Sequence, residues 1–245
     1  MTSKCLNRCK AASSFVRLLR LIGLSVTLSL AGCVSTSTVK QVDRLDTVRE
    51  NPKILIMTPD VKYFLLTTGG LPQPHAEWTE AARINFSRSL QDYADEHSID
   101  IVALPDANQL TDIEISYQKL YSAVGSSVLA HHFGRFKLPT KQGTFDWSLG
   151  PGVSVIGDRY EADYALFSYY RDYQASGGRM AFAILAAFAG VGMNTGGEVG
   201  FASLVDLRNG EIVWFNQVAA GAGELREQRE ARATVDLLFK DIPLD

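Results

Sequence analysis

Ala202-Ser203-Leu204-Val205-Asp206-Leu207-Arg208-Asn209-Gly210-Glu211-Ile212-Val213-Trp214 is the stretch that decides the fold. Two runs rich in β-branched and aromatic residues, 199–207 and 212–219, flank Arg208-Asn209-Gly210-Glu211. Asn-Gly between apolar runs is the strongest short-range hairpin signal, because both residues tolerate the positive φ of a tight turn. A β-hairpin is therefore expected here. Working outward, residues 225–239 carry an amphipathic, charged pattern before Pro243 and read as a closing helix. Upstream, 163–173 contains Tyr164, Leu166, Phe167, Tyr169 and Tyr170 and reads as a further strand.

Further upstream the periodicity alternates between strand and helix. Lys53-Ile54-Leu55-Ile56-Met57-Thr58-Pro59 is a short apolar run stopped by proline, as in a buried strand, and a Gly/Pro-rich loop follows at 69–74. Trp78, Ala82, Phe86, Leu90 and Tyr93 recur every three or four residues, which predicts one face of a helix. Residues 99–104, closed by Pro105, read as a second buried strand. Thr111 and Glu114 have the spacing of a capping box, and Ile113, Tyr117, Leu120, Val124 and Val128 form the next helical stripe. The glycine- and proline-studded stretch 131–160 reads as a long loop carrying a short hairpin. Together these elements predict one domain over 52–245, of α+β or α/β class: a mixed sheet with packed helices, a C-terminal hairpin and then a helix.

The N-terminus carries an address. Lys4, Arg8, Lys10, Arg17 and Arg20 precede the apolar run 21–30, residues 1–32 hold no Asp or Glu, and the run ends in Leu30-Ala31-Gly32-Cys33. A basic end, a short apolar helix and small residues at the cut are the three parts of a secretory signal. Ten residues of helix span only ~15 Å, half of the ~30 Å hydrocarbon core, which argues against a permanent membrane span. The final tetrapeptide resembles the lipobox of bacterial lipoproteins. That resemblance implies cleavage between Gly32 and Cys33 and acylation of Cys33, so that 1–32 is a signal and 33–51 a lipidated, polar tether. Val at position 34, where Asp would retain the protein at the inner membrane, implies sorting to the outer membrane, with the domain on its periplasmic side.

Cysteine usage agrees with this address. The three cysteines are Cys5, Cys9 and Cys33. Two would leave with the signal and the third would be blocked, so no disulfide, thiol nucleophile or thiolate metal site is expected. Losing five positive charges takes the formal net charge from −3 to −8. An acidic body without a basic cluster argues against nucleic-acid binding, which needs cations against phosphates.

The order of lipobox, polar tether, Ile-Leu-Ile-Met strand leading to Pro59, the strand Ala162-Asp163-Tyr164-Ala165-Leu166-Phe167 and the 202–214 hairpin resembles a known group of periplasmic lipoproteins. That group is related to the curli-secretion lipoprotein and to the N-terminal domain of the Tol-system propeller protein. The resemblance covers most of 52–240 and implies a fold and a compartment rather than a reaction. The chain departs from the pore builders in that group, because it lacks paired long strands with alternating lipid-facing residues.

No catalytic constellation is legible. His131-His132 is the sole adjacent histidine pair and lacks HxH or HExxH spacing. Gly152-Val153-Ser154-Val155-Ile156-Gly157 is one residue too long for a nucleophile elbow. The glycines from 177 to 200 match neither phosphate-binding fingerprint and read as flexible connection. Neither an enzymatic activity nor a metal nor any cofactor beyond the covalent lipid is expected.

The most unusual stretch is Met180-Ala181-Phe182-Ala183-Ile184-Leu185-Ala186-Ala187-Phe188-Ala189-Gly190-Val191-Gly192-Met193, which is free of charge. As a helix it would reach ~21 Å, short of crossing a bilayer. Three uses are open to it: a helix in the domain core, which is the commonest fate of such runs, a contact surface, or an element lying on the membrane. As a contact surface, Met180, Phe182, Ile184, Leu185, Phe188, Val191 and Met193 would meet an envelope protein or a second copy. The composite expectation is a non-catalytic envelope lipoprotein that binds another envelope protein, with an accessory or ring-forming subunit of an export or pore assembly as the first alternative and an envelope hydrolase as the second.

Overall fold

A computed structural model describes residues 35–45, 52–97, 99, 110–219 and 223–244. The strands are β1 (Ser35–Lys40), β2 (Ile54–Ile56), β3 (Asp60–Leu66), β4 (Pro72–Pro74), β5 (Tyr164–Ala175), β6 (Gly196–Asp206) and β7 (Ile212–Ala219). The helices are α1 (Ala76–Glu96), α2 (Asp112–Val128), α3 (Ser154–Tyr160), α4 (Gly177–Phe188) and α5 (Gln228–Leu238). All strands join one mixed sheet in the order β1-β7-β6-β5-β3-β4, with β2 also pairing β5. The expected class, a mixed sheet with packed helices and a C-terminal hairpin leading to a helix, is the observed one.

β5 is the spine of the sheet. It runs parallel to β2 and β3 on one side and antiparallel to β6 on the other. Its alternate residues feed two different cores, as the two-residue period of a strand dictates. Ala165 and Phe167 join Tyr121, Val128, Ile156, Phe201 and Phe215 in the core beneath α2 and α3. On the opposite face Trp214 packs on Phe239, which also meets Phe86 and Tyr93 of α1. Asn216 locks α5 to that face by donating to the carbonyls of Leu237 and Leu238, each at 2.9 Å, so the orphan carbonyls of the helix end are satisfied.

The hairpin lies where the sequence puts it, but its turn differs. Gly210 has φ +80°, whereas Asn209 keeps a negative φ. The connection is longer than a two-residue turn: the Gly210 amide donates to Asp206 and the Asp206 amide to Glu211. Asn209 contributes through its side chain, whose Oδ1 accepts from the Glu211 amide at 2.9 Å. A Cβ on residue 210 would lie 2.2 Å from the Gly150 carbonyl oxygen, so glycine is required there by space as well as by φ.

Four sequence expectations need correction. Residues 35–40, expected in a polar tether, form edge strand β1, antiparallel to β7 with Ser35 facing Ala219 and Lys40 facing Trp214. The tether reading also fails at Leu45, which is fully buried and donates its amide to the Pro243 carbonyl. The described domain thus begins at Ser35 rather than at 52. Polar Ser-Thr alternation misled because an edge strand needs only one covered edge. Second, the loop expected at 69–74 contains the short β4, which pairs antiparallel with β3. Third, the hairpin expected within 131–160 is replaced by a π-helical turn at Leu129–Phe133 and by α3. Fourth, the α2 stripe holds only in part: Tyr117, Val124 and Val128 pack on the core, but Ile113 and Leu120 are exposed, and Tyr121 and Gly125 are buried with that face. The capping box of Thr111 and Glu114 is present as expected. The strand expected at 99–104 lies outside the described residues apart from Ile99.

Candidate interaction surface

α4 grows from the tip of the β5–β6 pair. Ser176 starts it, its Oγ accepting from the Arg179 amide at 3.2 Å while its own amide donates to Leu66. Arg179, the single charged residue of α4, turns back into the domain: it is buried, and its Nε donates to the Asn194 carbonyl at 2.7 Å. The far end is closed by a Schellman motif. Gly190 adopts φ +77°, its amide donates to Ala187, and the Val191 amide reaches back to Ala186. Gly190 is therefore a stop signal, which replaces the expectation of a merely flexible connection at this position.

Between these caps the helix stands in solvent. Met180, Phe182, Ile184, Leu185, Phe188 and Val191 are all exposed, Phe188 to 87% and Leu185 to 66%, while Met193 is half-buried. Arg179 is the sole buried residue of the helix. The core reading of 180–193 is therefore overturned. Exposed apolar faces of this size are the kind that proteins cover with a partner or with lipid, since water is an unfavourable neighbour for them. Among the described residues no helix is long and apolar enough to cross a membrane.

At the foot of α4, a cavity of about 620 Å³ is lined by Asp172, Gln174, Met180, Thr195, Glu198 and Glu224, among others. Its polar groups are strongly interlinked. Tyr63 donates its hydroxyl to Glu224 at 2.9 Å, Gln174 donates to the other Glu224 oxygen at 2.9 Å, and Arg226 Nε donates to Glu224 at 2.7 Å. Tyr170 donates to Glu198. Burial would raise the Glu224 pKa, but Arg226, Gln174 and Tyr63 overcome it and hold the carboxylate at about 2. Asp172 goes the other way: burial, with Glu198 and Glu224 nearby, lifts it to about 6 against the hydrogen bonds from Gln174 and Tyr63. Burial also pushes the Tyr63 and Tyr170 hydroxyls well above their usual range, so both stay protonated donors. The arrangement braces the strand ends with mutually satisfied groups. Sequence reading missed it because its members are scattered along the chain; the available signal was Tyr170, Asp172 and Gln174 sharing one strand face.

The other sequence candidates fall elsewhere. His131 and His132 lie in the π-helical turn. His131 Nδ1 is 2.7 Å from the Phe136 carbonyl, and His132 packs edge-on to Phe133 and Phe145. Among the described residues no group of three or more His, Cys, Asp or Glu side chains is placed to hold a metal. Ser154 opens α3 and sits in no strand–turn–helix elbow. Gly32 and Cys33 lie outside the described residues.

No family model matches the chain, and no curated protein matches it. Among solved structures, it is similar to the PelC dodecamer from Paraburkholderia phytofirmans, with 9% identity over 87% of this chain and 99% of that one, at a TM-score of 0.38. A point variant of the same dodecamer gives 9% identity over 87% of this chain and 100% of that one, at a TM-score of 0.39.

Proposed function

We propose that the chain is a non-catalytic lipoprotein of the bacterial cell envelope, cut after Gly32, acylated on Cys33 and held on the periplasmic side of the outer membrane. There its domain acts by association, as a membrane-held component to which another envelope protein attaches. The observation that carries the anchor is the leader itself, a basic end and an apolar run closing in Leu30-Ala31-Gly32-Cys33. A chain cut before Cys33 keeps β1. The acylated cysteine would then sit two residues from the folded domain. Action by association, with lipid or protein, rather than turnover is supported by the exposed apolar α4 and by a groove whose acids are already hydrogen-bonded to neighbouring side chains.

Mass spectrometry of the protein isolated from envelopes tests the anchor. The N-terminal peptide should start at Cys33 and carry the mass of a diacylglyceryl group, usually with a third acyl chain. An unmodified amino terminus at any other residue would sink the proposal. In-cell crosslinking should yield a discrete adduct with an envelope protein. A ladder of multiples of the chain's own mass would instead favour a ring-forming subunit.

A further inference from the structure

We infer that α4 is a second membrane contact: it buries its apolar side chains among the acyl chains of the same leaflet that holds Cys33. This rests on the proposed acylation of Cys33 and names the occupant of the exposed helix.

The argument starts from the helix itself. Its body, from Met180 to Phe188, carries no charge on any side. A helix that is apolar all round belongs in a core or in lipid, and α4 is in no core of the described domain. Its twelve residues reach ~18 Å, too short to cross ~30 Å of hydrocarbon but long enough to enter one leaflet.

Placement in the sheet supplies the rest. Ser35 faces Ala219 on β7, Ala219 faces Val199 on β6, and Val199 faces Arg171 on β5. The first residue of β1 therefore stands at the end of the sheet where β5 finishes and β6 starts, the end from which α4 projects. β1 and β6 flank β7, so they lie ~10 Å apart across the sheet. Beyond the Ser35 row, β6 extends by the residues Gly196, Gly197 and Glu198, an overrun of ~10 Å that carries α4 outward. From Ser35 back to Cys33, two residues of chain reach at most ~7 Å. Acyl chains and apolar helix thus leave the domain from one end and on similar reach. A bilayer close enough to receive the first is close enough to receive the second. A protein partner on α4 would have to share that narrow space with the lipid.

The test uses the cysteine arithmetic. With Cys5 and Cys9 removed and Cys33 acylated, a Phe188→Cys variant has one free thiol. The acylated full-length protein, purified in detergent, is labelled there with a fluorophore. It is then reconstituted into phosphatidylethanolamine–phosphatidylglycerol vesicles containing nitroxide-labelled phospholipid. An Asp158→Cys variant, labelled on exposed α3 at the start of β5, reports on the opposite end of the sheet. The Phe188 position should lose several-fold in fluorescence to the lipid nitroxide and be shielded from aqueous iodide, with the reverse at Asp158. Quenching of the Phe188 label by iodide would overturn the inference. So would shielding from both quenchers, which would place a protein surface, such as a second copy, on α4. The N-terminal mass of the same sample separates the two readings. Acylated Cys33 with an iodide-accessible Phe188 label sinks insertion alone; unacylated Cys33 with a lipid-quenched label sinks the anchor alone.

Discussion

Asp172 shows how one buried carboxylate can set the pH response of a sheet end. Its folded-state pKa, about 6, lies above the 3.8 of a free aspartate, so the folded chain holds its proton more tightly than the unfolded chain does. By linkage, stability associated with this group is greatest below about pH 4 and is lost as pH rises through 6. Glu224 contributes with the opposite sign: held at about 2, it favours the folded state above the ordinary 4.5 and loses that advantage as pH falls toward 2. Asp172→Asn should therefore raise Tm at pH 7.5, with the gain shrinking through pH 6 and vanishing below pH 4. Thermal melts of both proteins across that range check it; a Tm gain independent of pH would show that ionisation of Asp172 is not the cause.

Among the elements, α4 separates what the sequence reveals from what it hides. Its existence was legible in an uncharged run ended by Gly190; its exposure was not, because hydrophobic periodicity is silent about what lies outside the chain. The contrast with β1 is instructive. Ser35-Thr36-Ser37-Thr38 looks like solvated linker, and only the partner strand β7 makes it a strand. The hairpin and α1 were readable because their signals are local: Gly210 at a turn, and Ala82, Phe86, Leu90 and Tyr93 on one helix face. The groove was not readable, since tertiary pairing gathers Tyr63, Glu198 and Glu224 from distant segments. A direct consequence for α4 is that a Leu185→Asp, Phe188→Asp double variant should fold normally. Exposed substitutions outside any packed feature usually change stability by no more than about 0.5 kcal/mol. Chemical denaturation of the double variant measures this, and a loss of several kcal/mol would mean that these side chains are packed within the chain after all.

For the whole molecule, the sheet joins the two ends of the sequence. The Gln41 amide donates to the Val213 carbonyl, and antiparallel pairing alternates, so the Val39 amide also points at β7. Val39→Pro should remove that donor and loosen β1 while leaving the β5–β6 pair intact. Hydrogen–deuterium exchange should then rise over residues 212–219 and stay unchanged over 164–175; protection retained in β7 would show that β1 contributes little to holding the edge. The pairing also orders events during folding. β1 lies early in the domain and its partner β7 late, so this pairing closes a long loop and forms only after most of the domain has been made. If Cys33 is acylated as proposed, the chain is moored loosely while it folds, and the zipping of β1 onto β7 draws the finished domain down to the lipid.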